Sequence, residues 1–182
     1  MRAIGLSALR HMGVLTAALA VATGPLAAQE SAEEGVFKRH RLGVLGGVTW
    51  VPEGTQTETS VIFAPTIGLD YDYKFSETLG AGVYTDFQLG SYLVETYEGD
   101  LVERDFAFIA VAVGIIEATR WLEFYAGPGA ELAESANYWV VRVGTSLSPQ
   151  FGGIRGGSFE AYFDIKEEYV SLGLAFKIAA RF

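Results

Sequence analysis

A histidine is the side chain best suited to moving protons near neutral pH, and this chain of 182 residues has two, His11 and His40. His11 falls in an N-terminal export segment. His40 lies in "KRHR" and reads as a partly exposed member of a basic cluster, so a nucleophilic serine elsewhere would have no base beside it. With no cysteine, and with His40 alone after export, metal chemistry is left to carboxylates. No acidic stretch has the ordered ligand spacing of a calcium loop. The sequence therefore offers no catalytic residue, cofactor site or metal site.

The remaining constellation is charged: Asp70, Asp72, Lys74, Asp86, Glu123, Glu131, Arg142, Glu160, Asp164, Lys166, Lys177 and Arg181, interleaved with Tyr84, Tyr125, Tyr138 and Tyr162. Within each segment these residues recur at every second position, which places them on one face of a strand. Acids and bases sharing an enclosed face would pair with one another, because an unpaired buried charge is costly. The expected role is a structural polar network, with glycines on the same face (Gly43, Gly68, Gly82, Gly144 and Gly173 among them) leaving room for long side chains.

What positions such a network is set by the chain ends and the alternation. Residues 1–28 combine Arg2 and Arg10, an apolar core from Val14 to Ala22 and a small-residue stretch, the pattern of a cleaved secretory signal. Its removal takes away two of the 13 Lys+Arg and none of the 22 Asp+Glu, leaving a formal charge of −11. So acidic a chain excludes nucleic acid as a partner, since that affinity comes from basic side chains on phosphates. Residues 29–37 read as a flexible acidic leader, and 38–182 as one domain. The longest apolar run of that domain, "FAFIAVAVGII" at 106–116, is too short for a membrane-spanning helix. A membrane location would therefore require a closed barrel, which alone among sheets satisfies every backbone polar group in hydrocarbon.

Alternation predicts eight strands, at about 40–51, 61–75, 79–94, 102–116, 121–132, 137–147, 157–165 and 169–182. Their second face is apolar: Ile67, Leu69 and Tyr71 in the second strand, Leu122 and Phe124 in the fifth, Trp139, Val141 and Val143 in the sixth. The fourth is apolar on both faces, and in isolation could be a buried helix. Pro65 and Pro128 fall inside predicted strands, where proline cannot donate to the ladder, so a bulge or sharp bend is expected in "AGPGAE" at 126–131, with Gly127 and Gly129 supplying the freedom. Parity alone does not separate a soluble lipocalin-like binder, with its apolar face inward, from a membrane barrel, with that face toward lipid. Aromatic placement favours the barrel. Trp50 and Trp139, with Phe106, Phe163 and Tyr169, fall near one set of strand ends, and Trp121 and Phe182 near the other, as two interfacial girdles would. Glu53, Glu58, Glu95, Glu98, Asp100, Glu134, Glu167 and Glu168 gather in the loops of the first end, which reads as a solvated acidic surface, with cation-bridged contact with lipopolysaccharide headgroups as the sharper alternative.

The signal segment, eight alternating segments, aromatic girdles and terminal "LAFKIAARF" together resemble the small eight-stranded outer-membrane β-barrels, the OmpA-like and OmpX-like group. The resemblance spans roughly Phe37 to Phe182. In that family a C-terminal phenylalanine preceded by alternating apolar residues looks like the signal read by the outer-membrane assembly machinery; Phe182, Ile178 and Phe176 match it, with Ala180, Leu174 and Leu172. It implies an all-β, eight-stranded antiparallel up-and-down transmembrane barrel with a polar, side-chain-filled lumen, exported to the cell outer membrane and monomeric. The enzymatic barrels of this size use a histidine near the outer rim, whereas His40 falls at the opposite end. No peptidoglycan-binding domain is expected to follow. The expected function is non-enzymatic, structural or through surface contacts with lipid and lipopolysaccharide. A narrow pore or lateral route for small or hydrophobic molecules is the alternative within membranes, and a soluble exported lipocalin-like binder the alternative outside them.

Overall fold

A computed structural model describes residues 38–55, 58–95, 99, 101–134, 136–149 and 156–182. The predicted signal and leader, 1–37, lie outside the described residues. Ten strands follow in order: β1 (His40–Thr55), β2 (Glu58–Lys74), β3 (Leu79–Gln88), β4 (Ser91–Glu95), β5 (Leu101–Asp105), β6 (Phe108–Thr119), β7 (Leu122–Leu132), β8 (Tyr138–Leu147), β9 (Gly157–Lys166) and β10 (Val170–Arg181). Eight of them close an antiparallel barrel in the order β1-β10-β9-β8-β7-β6-β3-β2, and β4 and β5 form a separate two-stranded hairpin. Closure runs from Arg41↔Arg181 to Trp50↔Leu172, and His40 and Phe182 exchange backbone hydrogen bonds beyond it, at 3.1 and 2.9 Å. Both ends of the barrel domain thus lie at one rim, here the inner end.

Alternation sorts the side chains as a strand period of two requires. Val44, Val48, Ile67, Leu69, Val141, Val143, Leu174 and Ile178 are all exposed on the outside. Arg41, Asp70, Asp72, Lys74, Asp86, Glu123, Arg142, Glu160, Asp164 and Lys177 are buried inside. Even the outward hydroxyls are satisfied locally: Thr85 donates to the Leu69 carbonyl at 2.8 Å and Thr145 to the Glu123 carbonyl at 3.0 Å. That is the arrangement hydrocarbon demands of a wall facing it. A soluble lipocalin-like binder needs the reverse, so the structure excludes that alternative.

Two local expectations are corrected, and one open alternative is decided. The predicted strands at 79–94 and 102–116 each break in two, at Gly90 (φ +123°) and Phe106 (φ +47°). Inward parity is even at Val102 and Arg104 but odd from Ala107 and Ile109 onward, so one residue is spent at the bend. The apolar segment is a strand, β6, and not a helix; its inward Ile109, Val111, Val113 and Ile115 pack on Tyr84, Tyr125, Val140 and Tyr162. Finally, "AGPGAE" holds no bulge: β7 pairs with β8 without a shift, and its β6 register is the same on both sides of Pro128. The irregularity lies at Glu117/Thr119 instead. Gly127 and Gly129 serve close approach, since a Cβ on either would strike the Ala112 or Ala110 carbonyl. Pro65 accepts from Leu89 N–H at 2.7 Å, so its donorless nitrogen faces the side where the β2–β3 ladder has just ended at Thr66↔Gln88.

Candidate functional site: the lumen and its two mouths

From the inner end outward, the lumen is a stack of ion pairs. At the inner mouth Arg41 donates to Asp72 and, at 2.5 Å, to Glu123, while Lys74 reaches Glu117 at 2.8 Å and Glu123 at 3.1 Å. Above it Lys177 joins Asp70 at 3.2 Å and Glu160, with its ammonium 4.9 Å from the centre of the Tyr84 ring. Next, Arg142 grips Asp164 through Nε and Nη2 at 2.7 and 2.8 Å, meets Asp86 at 2.5 Å, and lies 4.0 Å over the Tyr162 ring. The planar guanidinium suits this site because one group serves two carboxylates and a ring face together. Two glycines make the rings fit: a Cβ on Gly173 would enter the Tyr162 ring, and one on Gly144 would lie 2.5 Å from Tyr125 Cζ.

At the outer mouth Glu131, buried completely, accepts from Arg104 and Lys166 and from the Tyr169 hydroxyl at 3.1 Å. Lys166 also donates to Tyr169 at 2.8 Å. Over this network the β4–β5 hairpin folds back, so that Tyr92 and Val94 pack with Val51, Ala64, Tyr138 and Tyr169. The Tyr92 hydroxyl donates to Gln88 at 2.6 Å. Burial, and then the nearby Glu131 charge, push the Tyr92 and Tyr169 phenols above their ordinary range, which keeps both as neutral donors.

Of the twelve charged residues expected on the inner face, eleven are buried there and Arg181 is not. Arg181 is exposed at the inner rim, and Arg41, its direct cross-strand partner, takes the lumenal place. Like charges directly opposite disfavour one another, and Asp72 and Glu123 already hold Arg41. At the outer mouth two further side chains join the network that are not among the expected charges. Arg104 falls in the predicted strand at 102–116 but on the parity opposite to the inward residues that follow Phe106, and Tyr169, expected at the outer lipid interface, turns inward and is 5% exposed. Of the acidic residues expected in the loops of this end, Glu98 and Asp100 lie outside the described residues, Glu53, Glu58 and Glu95 belong to β1, β2 and β4, and Glu134, Glu167 and Glu168 stand in the remaining connections.

Outside the wall, aromatic rings form two collars. The inner one holds His40 stacked on Phe182 at 5.5 Å, edge-on to Tyr73 at 5.2 Å, and hydrogen-bonded to the Tyr71 hydroxyl at 2.7 Å. Trp121, in the β6–β7 turn, is exposed at the same end. The outer collar has Trp50 edge-on to Phe63 at 5.8 Å, Phe87 beside Phe108 at 4.7 Å, and Trp139, which is 71% exposed.

No protein-family model matches the chain, and no curated protein matches it in sequence. Solved structures match it in shape. Ail, the attachment invasion locus protein of Yersinia pestis, solved in complex with the heparin analogue sucrose octasulfate, is 15% identical with a TM-score of 0.50, over 80% of this chain and 99% of its own. The backbone structure of Ail in a phospholipid bilayer nanodisc is 12% identical with a TM-score of 0.49, over 77% of this chain and 99% of its own. Neisserial surface protein A is 13% identical with a TM-score of 0.45, over 79% and 97%. The inverted distribution of charge and the match in shape agree: this chain adopts the fold of the small eight-stranded outer-membrane β-barrels.

Proposed function

We propose that the protein is an integral, monomeric, non-enzymatic component of the outer membrane whose lumen is a side-chain plug, acting on the membrane structurally or through its outward hairpins. The observation that carries this reading is Arg142, fully buried at mid-lumen and shared by Asp164, Asp86 and the Tyr162 ring. An eight-stranded barrel is only wide enough for side chains to fill, and this one spends its width on pairs that cross it. Phe176, Ile178 and Phe182 are the residues offered to the assembly machinery, and Trp50, Trp121 and Trp139 the interfacial anchors.

Ail was solved with a heparin analogue, but a polyanion suits this chain poorly: its formal charge is −9, and Glu134, Glu167 and Glu168 stand at the outer end. Lipid and cation-bridged lipopolysaccharide are the partners that charge favours. A narrow pore is the second reading, supported by buried lumenal atoms without a hydrogen-bond partner among the described residues, such as Asp70 Oδ1, Asp72 Oδ1 and the Tyr84 hydroxyl. Such atoms invite water. Refolded protein in planar bilayers separates the two: the plug gives a silent membrane, and reproducible single-channel steps would replace it with the pore.

A further inference from the structure

The β4–β5 hairpin joins the barrel through two bends at the same level, Gly90 and Phe106, where the Phe106 N–H donates to the Gly90 carbonyl at 3.3 Å. Phe106 is 62% exposed and yet left-handed at φ +47°, a conformation that a bulky residue keeps only when its surroundings impose it. What imposes it lies beyond the bend. Tyr92 and Val94 reach down from β4 into the apolar cluster, and Arg104 reaches down from β5.

The Arg104 pocket has the chemistry of a guanidinium receptor. Nε and Nη2 donate to Glu131, Nη1 donates to the Ala136 carbonyl at 2.5 Å, and the guanidinium carbon lies 4.3 Å over the Tyr138 ring. Carboxylate, carbonyl and ring face all belong to the barrel side, and only the cation belongs to the hairpin. Lys166 and Tyr169 stay on Glu131 when Arg104 leaves, so emptying the pocket does not strand a lone buried carboxylate. Exposed Glu134 and Glu167 stand at the same end, and their field draws cations toward the mouth.

We propose that the hairpin is a hinged lid, and that the pocket it latches into is a recognition site for the arginine side chain of an external cationic peptide, closed by Arg104 as its internal occupant. The outward direction of this mouth rests on the membrane reading above; the pocket chemistry does not, so binding measured in detergent micelles and conductance in bilayers fail separately.

The test titrates N-acetyl-arginine amide into refolded protein in micelles, following the backbone amides of Tyr92 and Val94 by NMR. Wild type binds weakly, because the closed lid removes most of the competent population; Arg104→Ala binds at least about tenfold more tightly. N-acetyl-lysine amide gains less, and the gain disappears in Arg104→Ala combined with Glu131→Gln. Arg104→Met, which keeps the stem without the cation, is the second variant if Arg104→Ala does not fold. Equal affinity in wild type and the emptied variant, or a gain that survives Glu131→Gln, would overturn the proposal. So would saturation of wild type with no faster exchange at Tyr92 and Val94, because the ligand would then be bound without moving the lid.

Discussion

The two mouths of the lumen are both closed by shared carboxylates, but they are built at different depths. Glu123 at the inner mouth serves Arg41 and Lys74 within the ladder itself, and Lys74 also reaches Glu117, whose side chain is 18% exposed at the rim. Glu131 at the outer mouth serves Arg104 and Lys166 with nothing exposed, beneath an apolar and aromatic layer that has no counterpart at the inner mouth among the described residues. The same device, one acid between two bases, is therefore open to solvent at its edge, through Glu117, at one end and fully enclosed at the other. Charge pairs stabilise little in water, whereas removing one partner from a dry pair leaves an uncompensated charge. Losing a charge partner should therefore cost more at the outer mouth than at the inner one.

The largest effect is expected from Glu131→Ala, which strands Arg104 and Lys166 as buried cations and should lower stability by about 3 to 5 kcal/mol. Urea unfolding of the refolded barrel measures it; an unchanged midpoint would mean that this carboxylate does not hold the outer mouth. Next comes the packed middle that both mouths share. Gly173→Val drives a side chain into the Tyr162 ring and should cost about 1 to 3 kcal/mol, by overpacking and without touching a charge. A loss as large as that of Glu131→Ala would shift the centre of stability from the outer mouth to mid-lumen.

Much of this contrast is legible in the sequence, and the limits have physical causes. A period of two fixes which side chains share a face, so alternation alone puts Asp70, Asp86, Arg142 and Lys177 together. Parity ranks nothing along the axis, and so does not say which acid meets which base. It also runs through Gly90 unbroken: Asp86, Gln88, Tyr92 and Val94 are all even and all buried, although a bend separates them. In alternation the lid is therefore indistinguishable from more wall, and Arg104 from one more residue of the predicted strand at 102–116. Gly90 is the one available signal, a glycine inside an alternating run. Phe106 gives none, because a left-handed phenylalanine is imposed by tertiary contacts. Parity misplaces Arg181 for a similar reason, since only closure reveals that Arg41 stands directly across from it.

The inner collar offers a test of a different kind. Phe182→Asp removes the ring stacked on His40 and places a charge at the interface where the collar sits. Its main effect is expected on the yield of outer-membrane protein in cells, with the material that does assemble keeping its lumenal pairs. Equal yields of wild type and variant would remove the assembly role from Phe182 and leave it a collar residue only.

Glu117→Gln should have the smallest effect, and it bears most directly on the contrast between the mouths. Lys74 loses one of its two carboxylates but keeps Glu123 at 3.1 Å, and water already reaches the rim at Glu117. The neutral amide can still accept from the ammonium, so the pair is weakened rather than broken. A change within about 1 kcal/mol in the same urea experiment is the expectation for a screened pair. Added salt should shrink the difference between wild type and variant further, because ions reach a rim and do not reach a dry core. A loss approaching that of Glu131→Ala, insensitive to salt, would mean that the inner mouth is as dry as the outer one, and that the hairpin adds a cover to a lumen already sealed at both ends.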